Sequence, residues 1–372
     1  MSSIFFSKRL RFLNREYLFQ TTFNELDHTV VCSLFNEGKL LNMHFTSVPE
    51  DMQGNQMVEF IMQVHERRLN DYEILLKVTE SKKDSDRAEV VIKLGSALLA
   101  KKLYDEAIEL LQAASVKHND NSAIKLLLGK VHVAKDNFED AESELIKAVD
   151  LSPHYPDFRN LLGETYLRLG KPIAAINQFK KAVENNVYYD RAFYNLGLGY
   201  ILNGIVKEDF DLAKDLHKTC EESFEKAIAF NPGYINEYYK IGISLLREGK
   251  LDEAYEKLAS VLKNGSADSS FEKLLELYIS CIFGGNGATE ESIKGYIEMI
   301  ENLLRTNPGY ADLENELGMA YTIMGKIMRD KAINHFKKAI EINPDFKKAI
   351  KNIKLSENDL RGFEALLEAI LK

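Results

Sequence analysis

The sequence predicts a mainly α-helical protein, an α-solenoid of about seven helical hairpins with a small α+β module containing a β-hairpin at its N-terminus. Three observations carry this. First, a Leu-Gly pair (Ile-Gly once) recurs at Leu94-Gly95, Leu128-Gly129, Leu162-Gly163, Leu196-Gly197, Ile241-Gly242 and Leu317-Gly318, and the first three steps are 34 residues each. Second, twelve residues after each of the first three glycines stands an alanine (Ala107, Ala141, Ala175). A large apolar residue follows four later (Leu111, Leu145, Phe179), and a second alanine three after that (Ala114, Ala148, Ala182). Third, several units close at a proline: Ser152-Pro153, Asn231-Pro232-Gly233-Tyr234, Asn307-Pro308-Gly309-Tyr310 and Asn343-Pro344.

A glycine inside a helix costs about 1 kcal/mol relative to alanine, so six in one phase need a compensating gain. Close approach of two helices supplies it. The alanines answer from the second helix, where small side chains let the axes come near, and the prolines end that helix because they cannot donate to the preceding turn. Each unit is therefore expected to be an antiparallel helix pair.

Period and residue order resemble the tetratricopeptide repeat, W-x2-L-G-x2-Y followed by A, F, A and P in a 34-residue frame, over about three quarters of the chain. Departures from the pattern are the absence of tryptophan, a first-helix tyrosine only at Tyr166, Tyr200 and Tyr321, and Glu276 where a glycine belongs. The resemblance implies a right-handed superhelix over residues 88–346, with units beginning at Ala88, Ser122, Pro156, Asp190, Ile235, Ser269 and Ala311. Stacked hairpins bury a shared apolar face, and the last needs a polar-backed cap. Residues 347–372 are expected to supply it, and their KKAIKNIK stretch (Lys347 to Lys354) reads either as a solvated capping face or as a basic binding helix.

Two units carry insertions. From Gly197 to Gly242 is 45 residues, 11 more than the frame and about three turns at 3.67 residues per turn. Asn203-Gly204 is expected to end the first helix, with Phe210, Ala213, Leu216 and Cys220 extending the second helix upstream of Phe224 and Ala227. Phe210 and Leu216 then form either an exposed apolar patch for a partner or a contact with the adjacent unit. In the sixth unit, Gly284-Gly285-Asn286-Gly287 reads as a connection, since no GK[ST] follows and no strand precedes it. Thr289 is a candidate cap there, with Glu290 and Glu291 at the positive helix end.

Residues 1–87 lack the period. Lys8, Arg9, Arg11 and Arg15 precede any acid, and Phe6, Leu10, Leu13 and Tyr17 share one face of a helix. This basic amphipathic stretch reads as a membrane-surface or docking helix, a presequence, or a helix packed on its neighbour. Thr29 to Phe35 and Leu40 to Phe45, joined by Asn36-Glu37-Gly38-Lys39, read as a β-hairpin, followed by a helix from about Val58 to Val78. A lone hairpin is marginal in water, so it is expected to pack on that helix or pair with a second copy, giving a homodimer through this module.

Composition narrows the function. The chain has 372 residues, 45% apolar and 28% charged, as a folded protein does. A formal charge of -9 argues against nucleic acid as partner, which needs a basic face. Cys32, Cys220 and Cys281 are too few and too far apart for a disulfide framework or a CxxC site, and no apolar run approaches a membrane span, so the expected compartment is the cytoplasm. No HExxH, zinc cluster, Walker A loop, nucleophile elbow or dinucleotide fingerprint is present, so neither catalysis nor a cofactor or metal is expected. His28, His44 and His65 share the N-terminal module without carboxylate spacing that would support a metal.

The resemblance implies a groove lined by the first helices, at offsets 2, 5, 9, 12 and 13 of each frame. The expected wall comprises Leu126, Lys130, Asn160, Glu164, Leu167, Arg168, Arg191, Tyr194, Leu198, Ile201, Asn236, Tyr239, Ile243, Leu246 and Arg247. Tyrosines, aliphatics, amides and arginines suit a peptide or protein partner. The expected function is a scaffold or adaptor, with a peptide-responsive sensor acting through the N-terminal module as the alternative, and an enzyme with an unfamiliar N-terminal site behind both. Some family members clamp a C-terminal carboxylate with Lys and Asn from three consecutive units. Asn195 stands in one such place and the rest are missing.

Overall fold

The computed structural model describes residues 5–12, 15–49, 52–264, 290–306, 311–342 and 347–357. It is mainly helical, with one four-stranded antiparallel sheet near the N-terminus. Two compact units are present, residues 1–102 with 269–372, and residues 103–268.

In the first unit the strands β1 (Phe5–Phe12), β2 (Arg15–Asn24), β3 (Thr29–Asn36) and β4 (Lys39–Ser47) follow one another as a meander. The β3–β4 hairpin lies where its sequence predicted it. Its two-residue turn holds Glu37 at φ 48 and Gly38 at φ 79, the positive φ pair that matches the twist of flanking strands. The expected basic helix over residues 6–17 is instead β1 and the start of β2. Phe6, Leu10 and Phe12 also fit a period of two, and in this period Leu10 pairs with Tyr17 and Phe12 with Arg15 across β1 and β2. Its cations are paired rather than gathered on an apolar helix: Lys8 with Glu73 at 2.6 Å and Arg11 with Glu16 at 2.7 Å.

Helix α1 (Asn55–Lys82) covers one face of the sheet, extending beyond the expected bounds at both ends. Phe19 and Tyr72 meet at 5.8 Å between ring centres, and Thr21 Oγ1 lies 2.9 Å from His65 Nδ1. Burial lowers the pKa of His65, with Lys8 adding to the effect and Glu66 opposing it. His44 lies 3.3 Å from the Tyr72 hydroxyl, so His44 and His65 are each tied into the sheet–helix interface. Among the described residues no three His, Cys, Asp or Glu group so as to hold a metal. Helix α2 (Ala88–Ala100) follows.

The second unit is a stack of hairpins. Helix α3 (Tyr104–Lys117) precedes α4 and α5 (Ser122–Ala134, Phe138–Leu151), then α6 and α7 (Pro156–Arg168, Pro172–Asn185). Within these pairs the left-handed residues Asp136 and Gly170 make the turn. Asn121 caps α4 through Ile124 N–H at 3.1 Å, and Pro156 and Pro172 sit in the first turns of α6 and α7, where no N–H is missed.

The inserted unit differs from expectation. Helix α8 (Asp190–Val206) runs past Asn203-Gly204 and ends at Lys207, φ 60. The extension of the second helix is broken into a short α9 (Phe210–Ala213) and α10 (Leu216–Phe230). Asn203, fully buried, explains why the chain turns later: its amide donates to Asp209 C=O at 2.8 Å and its carbonyl accepts from Asp209 N–H at 2.9 Å, clasping the inserted loop. Helices α11 (Glu237–Arg247) and α12 (Leu251–Asn264) complete the unit.

In four hairpins the repeat glycine stands at a close helix crossing. A Cβ on Gly129 would stand 2.5 Å from the Leu145 side chain, on Gly163 2.4 Å from Phe179, on Gly197 2.7 Å from Phe224 and on Gly242 2.5 Å from Leu258. Gly318 has no such neighbour: a Cβ there would meet nothing within 4 Å. There the expected hairpin at Ala311 is one continuous helix, α14 (Ala311–Ile342), preceded by α13 (Glu290–Thr306). Gly325 stands seven residues after Gly318, the place of Gly170 after Gly163, but Lys326, Ile327, Met328 and Arg329 carry the helix onward. Residues 347–357 are helical, with Lys347, Lys351 and Lys354 exposed and Ala349 buried. The first helix of the sixth unit at Ser269, its glycine-rich connection, Thr289, and Cys281 lie outside the described residues, while Glu290 and Glu291 stand in the first turn of α13.

Candidate functional site

In the second unit the exposed side chains of the first helices gather on α4, α6 and the start of α8. Lys130 and Arg168 are exposed, and Arg191 reaches back from the first turn of α8 to Glu164 on α6. Glu164 is the hub of a network across two successive hairpins. Its Oε1 accepts from Asn160 Nδ2 at 2.9 Å, Asn195 Nδ2 at 2.8 Å and Arg191 Nε at 2.8 Å, and its Oε2 from Arg191 Nη2 at 3.3 Å. Asn195 Nδ2 also donates to Asn160 Oδ1 at 2.9 Å.

Local folding explains why these side chains meet. Asn160 and Glu164 are one helical turn apart and share a face of α6, as Arg191 and Asn195 do on α8. Both asparagines are buried, while Glu164 and Arg191 lead outward to solvent. The Glu164 carboxylate holds the Arg191 guanidinium even more firmly charged than usual, against the opposing effect of burial. Beside it, Arg168 pairs with Asp136 at 3.3 Å and lies over the Phe138 ring at 4.9 Å.

A second network adjoins at the other side of α8: Asp190 Oδ2 accepts from Asn231 Nδ2 at 2.8 Å and from the Tyr234 hydroxyl at 3.0 Å. Tyr189 is buried nearby, and burial together with Asp157 pushes its pKa up. The sequence reading missed Asp190, Tyr234 and, as a wall residue, Asn195. The spacing of Asn160 and Asn195, one repeat and one residue apart, is the signal that pointed there.

The remaining expected wall residues divide between surface and core. Tyr194, Leu198, Ile201, Leu246, Leu167 and Ile243 are buried in one apolar cluster with Phe179, Phe224 and Leu258, so they are core and not groove. The reason is the packing of α12 against α8 as well as α10, which encloses α8 on several sides. Tyr194 donates its hydroxyl to Leu258 C=O at 2.9 Å, and burial, followed by the neighbouring Tyr239 and Tyr234, pushes its pKa far up, keeping it a neutral donor. Offset 12 falls inside every hairpin where it was assigned, at Leu167, Ile201 and Leu246.

Leu126 is half-buried against the α5 and α6 apolar cluster. Asn236 caps α11 by accepting from Tyr239 N–H at 3.0 Å, and Tyr239 is half-buried against Phe224. Arg247 is exposed and pairs with Glu221 at 2.8 Å. Of the second patch, Phe210 is 71% exposed, whereas Leu216 is buried against Gly204 and belongs to the core. The proposed apolar pair is thus reduced to Phe210.

Among the described residues no helix is long and apolar enough to cross a membrane. Comparison with known proteins places the repeat in a family. Tetratricopeptide repeat family models match residues 98–148, 126–186 and 315–346. No curated protein matches. Among solved structures the chain is similar to MamA, at 28% identity over 45% of this chain and 92% of that one, with a TM-score of 0.36. It is also similar to YrrB, described as a TPR protein with an unusual peptide-binding site, at 19% identity over 55% and 96%, TM-score 0.37. A third is pilF of Pseudomonas aeruginosa, at 19% identity over 62% and 96%, TM-score 0.38. With three family matches, and glycines in the matched hairpins pressed against Leu145 and Phe179, the chain is a tetratricopeptide repeat protein over residues 98–186 and 315–346.

Proposed function

We propose that the protein is an interaction scaffold that holds an extended, acidic segment of a partner protein against the exposed polar face of α4, α6 and the first turns of α8. The observation that carries this reading is the Asn160–Glu164–Arg191–Asn195 network. It fixes polar groups of two successive repeats before any ligand arrives, so little ordering entropy is spent on docking. Glu164 is already matched by its own donors, and a guanidinium carries five N–H groups, so Arg191 retains donors for a carboxylate or a main-chain carbonyl. Exposed Lys130 and Arg168 extend the same positive character although the chain as a whole is acidic. Of the wider wall expected from the frame, this reading keeps Lys130, Asn160, Glu164, Arg168 and Arg191 and adds Asn195.

Quantitative affinity capture from the native cell tests it, comparing the wild type with Lys130→Glu plus Arg168→Glu. Both side chains are exposed, and an exposed ion pair such as that of Arg168 with Asp136 contributes roughly 0–1 kcal/mol, so thermal stability is expected to stay nearly unchanged. The expected outcome is loss of the captured partners at wild-type stability. Retention of every partner by the double variant removes this face from the function.

A further inference from the structure

We infer that the outer face of the N-terminal sheet is a self-docking surface whose occupant is a second copy of this chain, packed face to face about a two-fold axis parallel to the strands. Phe6, Phe19, Thr21 and His44 point at α1, so by alternation Phe5, Leu18, Gln20 and Phe45 point the other way. No described element covers that face: Phe45 is 64% exposed and Phe5 52%, and Leu40 and Met43 are exposed beside them. Four strands about 4.8 Å apart, with about eight residues rising about 3.3 Å each, present on the order of 500 Å² per copy and so about 1,000 Å² for a pair, the size at which a specific interface begins. A solvated antiparallel sheet normally turns a polar face to water, so Phe5, Leu18, Phe35, Leu40, Met43 and Phe45, set among the polar side chains of this one, mark a contact.

The register of the strands says why a second copy fits. Phe5 pairs with Thr22, Thr22 with Val31 and Val31 with Phe45, forming one row across the sheet. Ser7, Gln20, Ser33 and Met43 form the next, and Arg9, Leu18, Phe35 and Leu40 a third. Rotation about an axis parallel to the strands keeps each row and exchanges β1 with β4 and β2 with β3. Phe5 then lies over the partner's Phe45, Leu18 over the partner's Phe35, and polar Gln20 over the partner's Ser33. Arg9 comes to the Leu40 end of the partner's row, next to the turn that carries Glu37, so the charges at that end are opposite. Apolar meets apolar at Phe5–Phe45 and Leu18–Phe35 and polar meets polar at Gln20–Ser33, while Ser7 lies over Met43 and Thr22 over Val31.

Sedimentation equilibrium of the full chain tests the proposal. The wild type is expected at twice 42.4 kDa. Phe5→Lys alone and Phe45→Glu alone each place a charge in the apolar row and are expected to be monomers with unchanged far-UV circular dichroism. The two-fold axis sets Phe5 against Phe45, so Phe5→Lys combined with Phe45→Glu in one chain restores the dimer, as does an equimolar mixture of the two single variants. A wild type that stays at 42.4 kDa at every concentration overturns the proposal. So does a dimer that both single variants leave intact, or a failure of the charge-matched pair to re-associate.

Discussion

Tyr194→Ala is expected to release the α11–α12 hairpin from the stack, lowering stability by about 3–5 kcal/mol, the range found for emptying a large aromatic site in a core. The side chain is fully buried, stacks edge-on with Phe224 at 4.8 Å and lies 4.8 Å from the Tyr234 ring. Its hydroxyl is the hydrogen bond that joins α8 to α12 across hairpins. Because repeat arrays are stabilised by each unit and its neighbour contacts, the loss should be local before it is global. Amide hydrogen exchange is therefore expected to accelerate first in Glu237–Arg247 and Leu251–Asn264, with α4 to α7 protected longer. Tyr194→Phe separates the two contributions: the ring remains, Leu258 C=O loses its partner, and about 1–3 kcal/mol is expected to go. Unchanged protection of α12 in the alanine variant would show that the α8–α12 contact does not hold the hairpin.

That residue also shows where sequence reasoning stops. The 34-residue rhythm, the alanines and the hairpin turn at Glu37-Gly38 were legible because each rests on a local requirement, a small residue at a crossing or a positive φ. Which way a first helix faces depends on neighbours distant in sequence. Tyr194 sits at the same offset as Leu126 and Asn160, yet α12 covers it alone among the three. A signal was present: from Ala192 to Val206 there is no charged residue, and a helix apolar all round is a buried one. The N-terminal strands were hidden for a different reason. Phe6, Leu10 and Tyr17 fit both a helical stripe and an alternating strand, and only the pairing of β1 with β2 decides between them. In α14 the Leu317-Gly318 pair and Gly325 keep the phase of the repeat, but the sequence between Gly325 and Ala332 is two residues longer than that between Gly170 and Ala175 and rich in helix formers, so the turn is not made.

The same substitution at two glycines of equal phase therefore has opposite expected signs. At Gly163 an added methyl stands 2.4 Å from Cε1 and 2.8 Å from Cδ1 of Phe179. That ring is fully buried in the cluster that holds Ala175, Ile176 and Tyr194, so it cannot swing away without opening the hairpin. Overpacking of this kind costs about 1–3 kcal/mol or more, enough to exceed the roughly 1 kcal/mol that alanine gains over glycine in a helix. At Gly318 the methyl meets nothing, the backbone stays helical, and only the gain remains. Gly163→Ala is expected to lower the urea midpoint, and Gly318→Ala to leave it unchanged or raise it by up to about 1 kcal/mol in stability terms. Should Gly163→Ala prove neutral, close helix approach is not what keeps glycine in this phase. If Gly318→Ala instead destabilises as much as Gly163→Ala, residues 311–342 form a packed hairpin in solution and not a single helix.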